Sequence, residues 1–139
     1  MRGSYNLSVR LRLISGLVLF VYLLSHLLNH SLGIVSLEWM ERGQGVFTAV
    51  WRHPLGTAAL YLAILTHGVL GLEKVLRMPS WRMPRWEFAQ IALGLIIPIQ
   101  LIPHVSATRI AHELMGVDDS YALELLSLWS KWAGPQILL

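Results

Sequence analysis

From Leu13 to Leu37 the chain runs for 25 residues without a charged side chain. No other feature constrains the fold as tightly. As a helix, this stretch rises roughly 37 Å, enough to cross a hydrocarbon layer of about 30 Å with some tilt. Two more uncharged runs follow. Pro54 to Leu72 opens with "RHPLG", and Pro54 suits a first helical position, where its missing N–H would be unpaired anyway. The third run lies between Glu87 and Arg109. Its Pro98 and Pro103 predict kinks, which a membrane bundle tolerates where neighbours satisfy the freed carbonyls. A fourth apolar segment begins near Tyr121, but "LLSLWSKWAGPQILL" carries Lys131 and Pro135 and is too short to span.

The connections are read from their polar residues and breakers. Gly43 and Gly45 interrupt the polar link after the first run, "EKVLRMPSWRMPRWE" turns at its prolines, and Glu113, Asp118 and Asp119 form an acidic loop. The expected architecture is all-α: a single membrane domain over residues 1–139, a transmembrane helical bundle with three complete spans and an incomplete fourth. The helices are expected at about residues 11–37, 54–77, 86–112 and, in part, 121–139. A partner chain or further residues should then complete the fourth helix. A charged fraction of 14% agrees, since soluble domains carry about 25%. The absence of cysteine excludes disulfides and thiolate-held metal or iron–sulfur centres.

Arg10 and Arg12 before the first run could suggest a cleaved signal peptide, but the run is too long and no small-residue cleavage site follows. It reads as a retained helix. Arg2, Arg10, Arg12, Lys74, Arg77, Arg82 and Arg85 fall on one side, against Arg42, Arg52 and Arg109 on the other. That bias predicts a cytoplasmic N-terminus in a multi-pass membrane protein. The same residues cluster at the ends of apolar runs, so they mark topology and do not form a nucleic-acid patch. The tryptophans, most of them flanking these runs, suit the headgroup level.

Each complete run contains an imidazole: His26 with His30, then His67, then His104. An ionisable residue inside a membrane helix points to function by default, although one alone is as well explained by an interhelical hydrogen bond of about 1 kcal/mol. Three spans in succession favour a shared ligand. Tyr22, His26, His30 and Gly33 fall on one helical stripe, and Gly56, Ala63, His67 and Gly71 on another. Small residues beside an imidazole leave a slot for a flat macrocycle, or simply let helices approach. Leu93, Ile97, Gln100, His104, Thr108 and Ala111 form a bulkier third face. Counting about 1.5 Å per residue, His26, His30 and His104 lie roughly 20 to 26 Å from the inner edge, while His67 is alone in the inner half.

Zinc asks for three or four protein ligands, and no carboxylate or cysteine lies at these depths. Haem iron takes two axial histidines, and its large apolar surface suits a dry helix bundle. Arg109, or Arg52 with His53, could pair with haem propionates.

"SGLVLFVYLLSHLLNH" and "LTHGVLGLEKVLR" resemble the first two helices of the cytochrome b anchors of succinate dehydrogenase and fumarate reductase. "HLLNH", the "SLE" at Ser36 to Glu38, and "IPHVSATRIAHELMG" bring the chain closer to one branch of that superfamily. That branch is the N-terminal membrane region of some bacterial class III adenylyl cyclases. The resemblance implies a six-helix anchor of the bacterial inner membrane holding one or two haem b groups, with quinone as a possible redox input. It assigns the axial-ligand role to His67, to His104 and to either His26 or His30; His112 also matches but lies past the span.

A cyclase anchor would be expected to form a homodimer in the lipid bilayer, with further transmembrane helices from the same or another chain. No nucleotide-binding motif or acidic pair for two-metal catalysis is present, so these residues carry no cyclase chemistry. Two other readings remain open: a cytochrome b subunit passing electrons between a dehydrogenase and quinone, and a cofactor-free membrane assembly module.

Overall fold

A computed structural model describes residues 2–80 and 82–130, with side chains described for 7–80 and 82–126. All regular structure among them is helical. The helices are α1 (Arg2–Ser31), α2 (Leu37–Trp51), α3 (Pro54–Leu76), α4 (Arg85–Val105), α5 (Ala111–Met115) and α6 (Tyr121–Ser130). A 3₁₀ turn, Leu32–Ile34, follows α1, and a π turn, Ser106–Ile110, separates α4 from α5. Three stretches are long and apolar enough to cross a membrane: Leu7–Ile34, Pro54–Leu76 and Arg85–Met115. The all-helical, membrane-spanning class expected from the three uncharged runs is what the chain adopts. The expected partial fourth helix is described as far as Ser130; residues 131–139 lie outside the described residues.

Boundaries differ from expectation: the first helix ends at Ser31, not near residue 37. Helix α1 starts at Arg2, not near residue 11. Charge at Arg10 and Arg12 marks where a helix leaves an apolar layer, but nothing there breaks the helix, and arginine is a good helix former. The larger correction concerns the polar link after α1. Gly43 and Gly45 do not break it; both lie inside the 15-residue helix α2.

Each glycine in a helix costs about 1 kcal/mol relative to alanine, and several local features oppose that. Ser36 is extended (φ −169°, ψ 160°), and its side chain accepts a hydrogen bond from the Trp39 N–H at 3.2 Å. Such a cap contributes about 1 kcal/mol. Glu38 sits in the first turn, where the helix dipole favours an acid, and pairs with Arg42 one turn later at 2.6 Å. The missing side chain of Gly43 is itself used in packing. A Cβ there would collide with the Asn29 carboxamide oxygen and stand 2.5 Å from the Leu32 Cδ1.

Helix α2 runs back along α1. Met40 meets Gly33, Gly43 meets Asn29 and Leu32, Phe47 meets Tyr22 and His26, and Trp51 meets Tyr22 and Ser25. The residue numbers fall on one helix as they rise on the other, so the two are antiparallel. A sharp corner then starts α3. Pro54 takes the first helical position, the His53 Nδ1 accepts from the Leu55 N–H at 3.3 Å, and the Thr57 hydroxyl donates to the Trp51 carbonyl at 3.1 Å. Gly56 lies against the Val50 carbonyl, where a Cβ would not fit. Helix α3 continues in the same sense and brings His67 level with Arg12 and Ser15. One face of the long helix is therefore met in sequence, by α2 from Tyr22 to Gly33 and by α3 around Arg12 to Gly16. Leu60 and Ala63 of α3 are buried.

By its contacts the chain forms two compact units, Met1–Pro79 and Ser80–Leu139. In the second, Pro98 and Pro103 lie inside α4. Each removes a backbone donor and leaves a carbonyl one turn earlier unserved. The π turn follows directly, and side chains add bonds to its backbone: the Ser106 hydroxyl donates to the Ile102 carbonyl at 2.7 Å and the Thr108 hydroxyl to the His104 carbonyl at 2.8 Å. Helix α5 ends at Gly116 in the left-handed conformation (φ 64°). The Gly116 N–H returns to the His112 carbonyl, the bond of an αL cap, and the Val117 N–H reaches the Ala111 carbonyl. Helix α6 is capped by Ser120, whose hydroxyl oxygen accepts from the Leu123 N–H at 3.3 Å.

Candidate functional site: the histidines of the apolar helices

His67 projects from α3 onto the N-terminal half of α1. Its Nδ1 lies 3.2 Å from the Arg12 carbonyl oxygen and 3.3 Å from the Ser15 Oγ. Ser15 is buried, with 5% of its surface exposed, and its hydroxyl donates to the same Arg12 carbonyl at 3.1 Å. Two patterns fit these distances: a proton on Nδ1 shared between the two oxygens, or a bare Nδ1 accepting from the Ser15 hydroxyl; the Arg12 oxygen can only accept, which favours the first. The Nε2 is then left with its lone pair, the form in which imidazole binds a metal.

Gly16 makes this approach possible. A Cβ at that position would stand 3.0 Å from the His67 Cε1 and 3.3 Å from its Nδ1. On α3 itself, Cβ atoms at Gly68 and Gly71 would meet nothing within 4 Å. The glycines around His67 thus divide by role: Gly16 seats the ring, and Gly68 and Gly71 leave open space beside it.

The pair on α1 is arranged differently. The Nε2 atoms of His26 and His30 are 3.1 Å apart, with the rings edge-on and their centroids 4.4 Å apart. One imidazole donates to the other. Tyr22 stacks on His26 at 5.9 Å with an interplanar angle of 8°, and Phe47 and Trp51 of α2 enclose the same group. The Trp51 indole N–H donates to the Ser25 hydroxyl, which donates to the Tyr22 carbonyl. The stripe expected to leave a slot at Tyr22, His26, His30 and Gly33 is instead occupied: by aromatic rings at its lower end and by Met40, whose sulfur fills the space beside Gly33. These covering residues all belong to α2, the segment whose two glycines hide its helical character in the sequence.

These two sites do not meet. Ser15 and His26 are eleven residues apart on one helix, roughly 16 Å of rise. His104 belongs to the second unit, at the last turn of α4 before the π turn, and is half-buried. Arg109, a propionate candidate, pairs with Glu113 at 2.8 Å, its side chain 17% exposed. His112 closes the turn after α5, its ring 2.9 Å from the Val117 carbonyl and 3.4 Å from the Asp119 carboxylate.

The donor chemistry can be weighed against haem. His67 fits in the Nδ1–H tautomer: its Nε2 then offers a lone pair, and the glycines Gly68 and Gly71 leave open space beside it. The α1 pair fits once its internal hydrogen bond is given up. Such a bond within a membrane helix is worth about 1 kcal/mol, roughly a fivefold factor in affinity, so it does not bar ligation. Among the described residues no cluster of three or more His, Cys, Asp or Glu side chains could hold a bare metal ion. No protein-family model matches the chain, and neither does any curated protein or solved structure.

Proposed function

We propose that the chain is a haem-b-binding redox membrane anchor of the succinate dehydrogenase cytochrome b type, serving as the sensing membrane region of an adenylyl cyclase. The observation that carries this reading is His67. A histidine whose Nδ1–H is committed to a backbone carbonyl, with glycine cut away beneath the ring, is prepared for ligation through Nε2. Membrane-spanning helices that each bear an imidazole add support.

When bound, haem b with two imidazole ligands supplies one-electron chemistry without an open site for oxygen. Within the chain, α1 and α3 orient His67, and Ser15 and the Arg12 carbonyl hold its proton at Nδ1. In the first unit the imidazoles of α1 lie too far along that helix to serve with His67, so its partner ligand must come from a helix other than α1–α3. His104 and one of His26 or His30 are the other proposed ligands, with Arg109 near a propionate. We place the N-terminus in the cytoplasm of a bacterial cell, with quinone as the electron source and a second copy of the chain as the partner.

Full-length protein, purified in mild detergent from haem-replete cells, should show a Soret band and a b-type pyridine haemochrome. Absence of both would end this reading. One observation favours the cofactor-free alternative: His26 and His30 already satisfy one another. Under that alternative, the spectrum stays blank and His26→Leu lowers thermal stability only.

A further inference from the structure

The link between the first two spans forms α2, and its two halves differ in character. Glu38, Trp39, Glu41 and Arg42 fill its first turns, whereas Gly43 to Trp51 carries no charge. Three faces run along it. Met40, Gly43, Phe47 and Trp51 meet α1. Glu41, Gln44, Thr48 and Arg52 follow one flank, and Trp39, Val46 and Val50 the other. We infer that α2 enters the apolar layer by its C-terminal half, so that the Val46–Val50 flank is a lipid-contacting surface and Arg52 is held below the membrane edge.

Helix α1 serves as a ruler of depth. His67 of α3 stands level with Arg12 and Ser15, Trp51 of α2 with Tyr22 and Ser25, and Met40 with Gly33. At about 1.5 Å per residue, Trp51 is roughly 15 Å and Met40 roughly 29 Å above the level of His67. Cations mark the near edge of the layer either at Arg12 or at Lys74, which lies about 10 Å lower along α3. From these two edges Trp51 stands about 15 Å or about 26 Å up, both short of a layer of about 30 Å. Met40 reaches about 29 Å or about 40 Å, at or beyond the far edge. In either placement α2 crosses that edge, its N-terminus outside and its C-terminus within.

The flanks agree with this crossing. A helix surrounded by water shows its polar side and hides its apolar one. In α2 the order is reversed: Glu41, Gln44, Thr48 and Arg52 are all half-buried, while Val46 is 71% and Val50 56% exposed. Leu24, Leu27 and Leu28 of α1 and Leu55 of α3 are exposed at neighbouring levels and continue the apolar surface. Nearer the tip, the Arg42 guanidinium lies over the Trp39 ring at 5.7 Å, a pair suited to the headgroup level. An arginine below the edge is costly, and the half-buried flank keeps Arg52 off the lipid side.

The chain has no cysteine, so single-cysteine variants need no background removed. Both valines are exposed, and cysteine in their place leaves the packing of α2 on α1 intact. Full-length protein in lipid nanodiscs, with helicity checked by circular dichroism, would carry a nitroxide at Glu38→Cys, Val46→Cys or Val50→Cys. Electron paramagnetic resonance then compares collisions with oxygen, which partitions into lipid, and with a water-soluble nickel chelate. The oxygen-to-nickel ratio should rise in the order Glu38, Val46, Val50. Without the nitroxide, Val50→Cys should react with a membrane-impermeant maleimide about tenfold more slowly than Glu38→Cys, because an apolar setting suppresses the thiolate. Nickel access at Val50 equal to that at Glu38 would place all of α2 in water and overturn the inference. Low access of both reagents at Val50 would overturn it too, since protein rather than lipid would then cover the flank.

Discussion

His67 and the His26–His30 pair answer the same problem, an imidazole in an apolar helix, in opposite ways. His67 spends its one N–H on a neighbouring backbone and keeps its other nitrogen available. His26 and His30 turn their Nε2 atoms on each other and are enclosed by aromatic rings from α2. The difference arises from what each helix face meets. At Ser15 and Gly16, α1 offers a carbonyl, a hydroxyl and a missing side chain. At Tyr22 to Gly33 it meets a second helix whose Met40, Phe47 and Trp51 fill the space. A site ready for a ligand therefore differs from a closed one in the groups facing the histidine, and not in the histidine itself.

Substitutions can break or sharpen that contrast. The largest effect is expected from His67→Ala, which should abolish one haem outright, whereas His26→Ala or His30→Ala, made singly, should lower haem content only partly, because the remaining imidazole of the pair is released to bind. Pyridine haemochrome assay per mole of protein distinguishes these outcomes. Equal losses in all three variants would mean that the pair is no reserve.

A smaller but still decisive effect should follow from closing α2 onto α1. A disulfide between Gly33→Cys and Met40→Cys would hold the cover over the His26–His30 pair. Haem uptake there should fall under oxidising conditions and recover with reductant, with the His67 site unaffected. Gly43→Leu should act in the opposite sense by forcing α2 away from Asn29 and Leu32. Overpacking of this kind costs about 1–3 kcal/mol, readable as a lower melting temperature in detergent.

Gly16→Ala comes next. Its Cβ, 3.0 Å from the His67 Cε1, should push the ring by a few tenths of an ångström and lengthen the bonds to Arg12 and Ser15. A shifted low-spin signal in electron paramagnetic resonance would register it. Smallest is Ser36→Ala, which removes the α2 cap at a cost of about 1 kcal/mol and should lower thermal stability without moving the His67 spectrum.

Much of this architecture is legible in the sequence. Uncharged runs of adequate length can only be satisfied as spanning helices, and Pro54 marks the start of α3. The isolation of His67 from the α1 pair also follows from counting residues along antiparallel helices. Helix α2 is the part that sequence hides. Its glycines resemble breakers because single-residue propensity carries no information about the partner helix, and here Gly43 serves close packing against Asn29. The start of α1 is obscured for a related reason, since Arg10 and Arg12 change the solvent preference of the helix without interrupting its backbone bonds. The contact of Ser15 with His67 joins residues 52 apart in sequence. One hint exists: a serine and a glycine, at residues 15 and 16, near the start of the first uncharged run. Nothing in the sequence says which histidine they face.

The contrast between the two histidine sites is tested most directly by counting haem b in the full-length protein and in His67→Ala, both purified from haem-replete cells and checked for retained helicity by circular dichroism. The expected result is a b-type haem in the wild type and loss of the component that depends on His67, with helicity unchanged. Equal haem content in the two proteins, or none in either, would contradict the account.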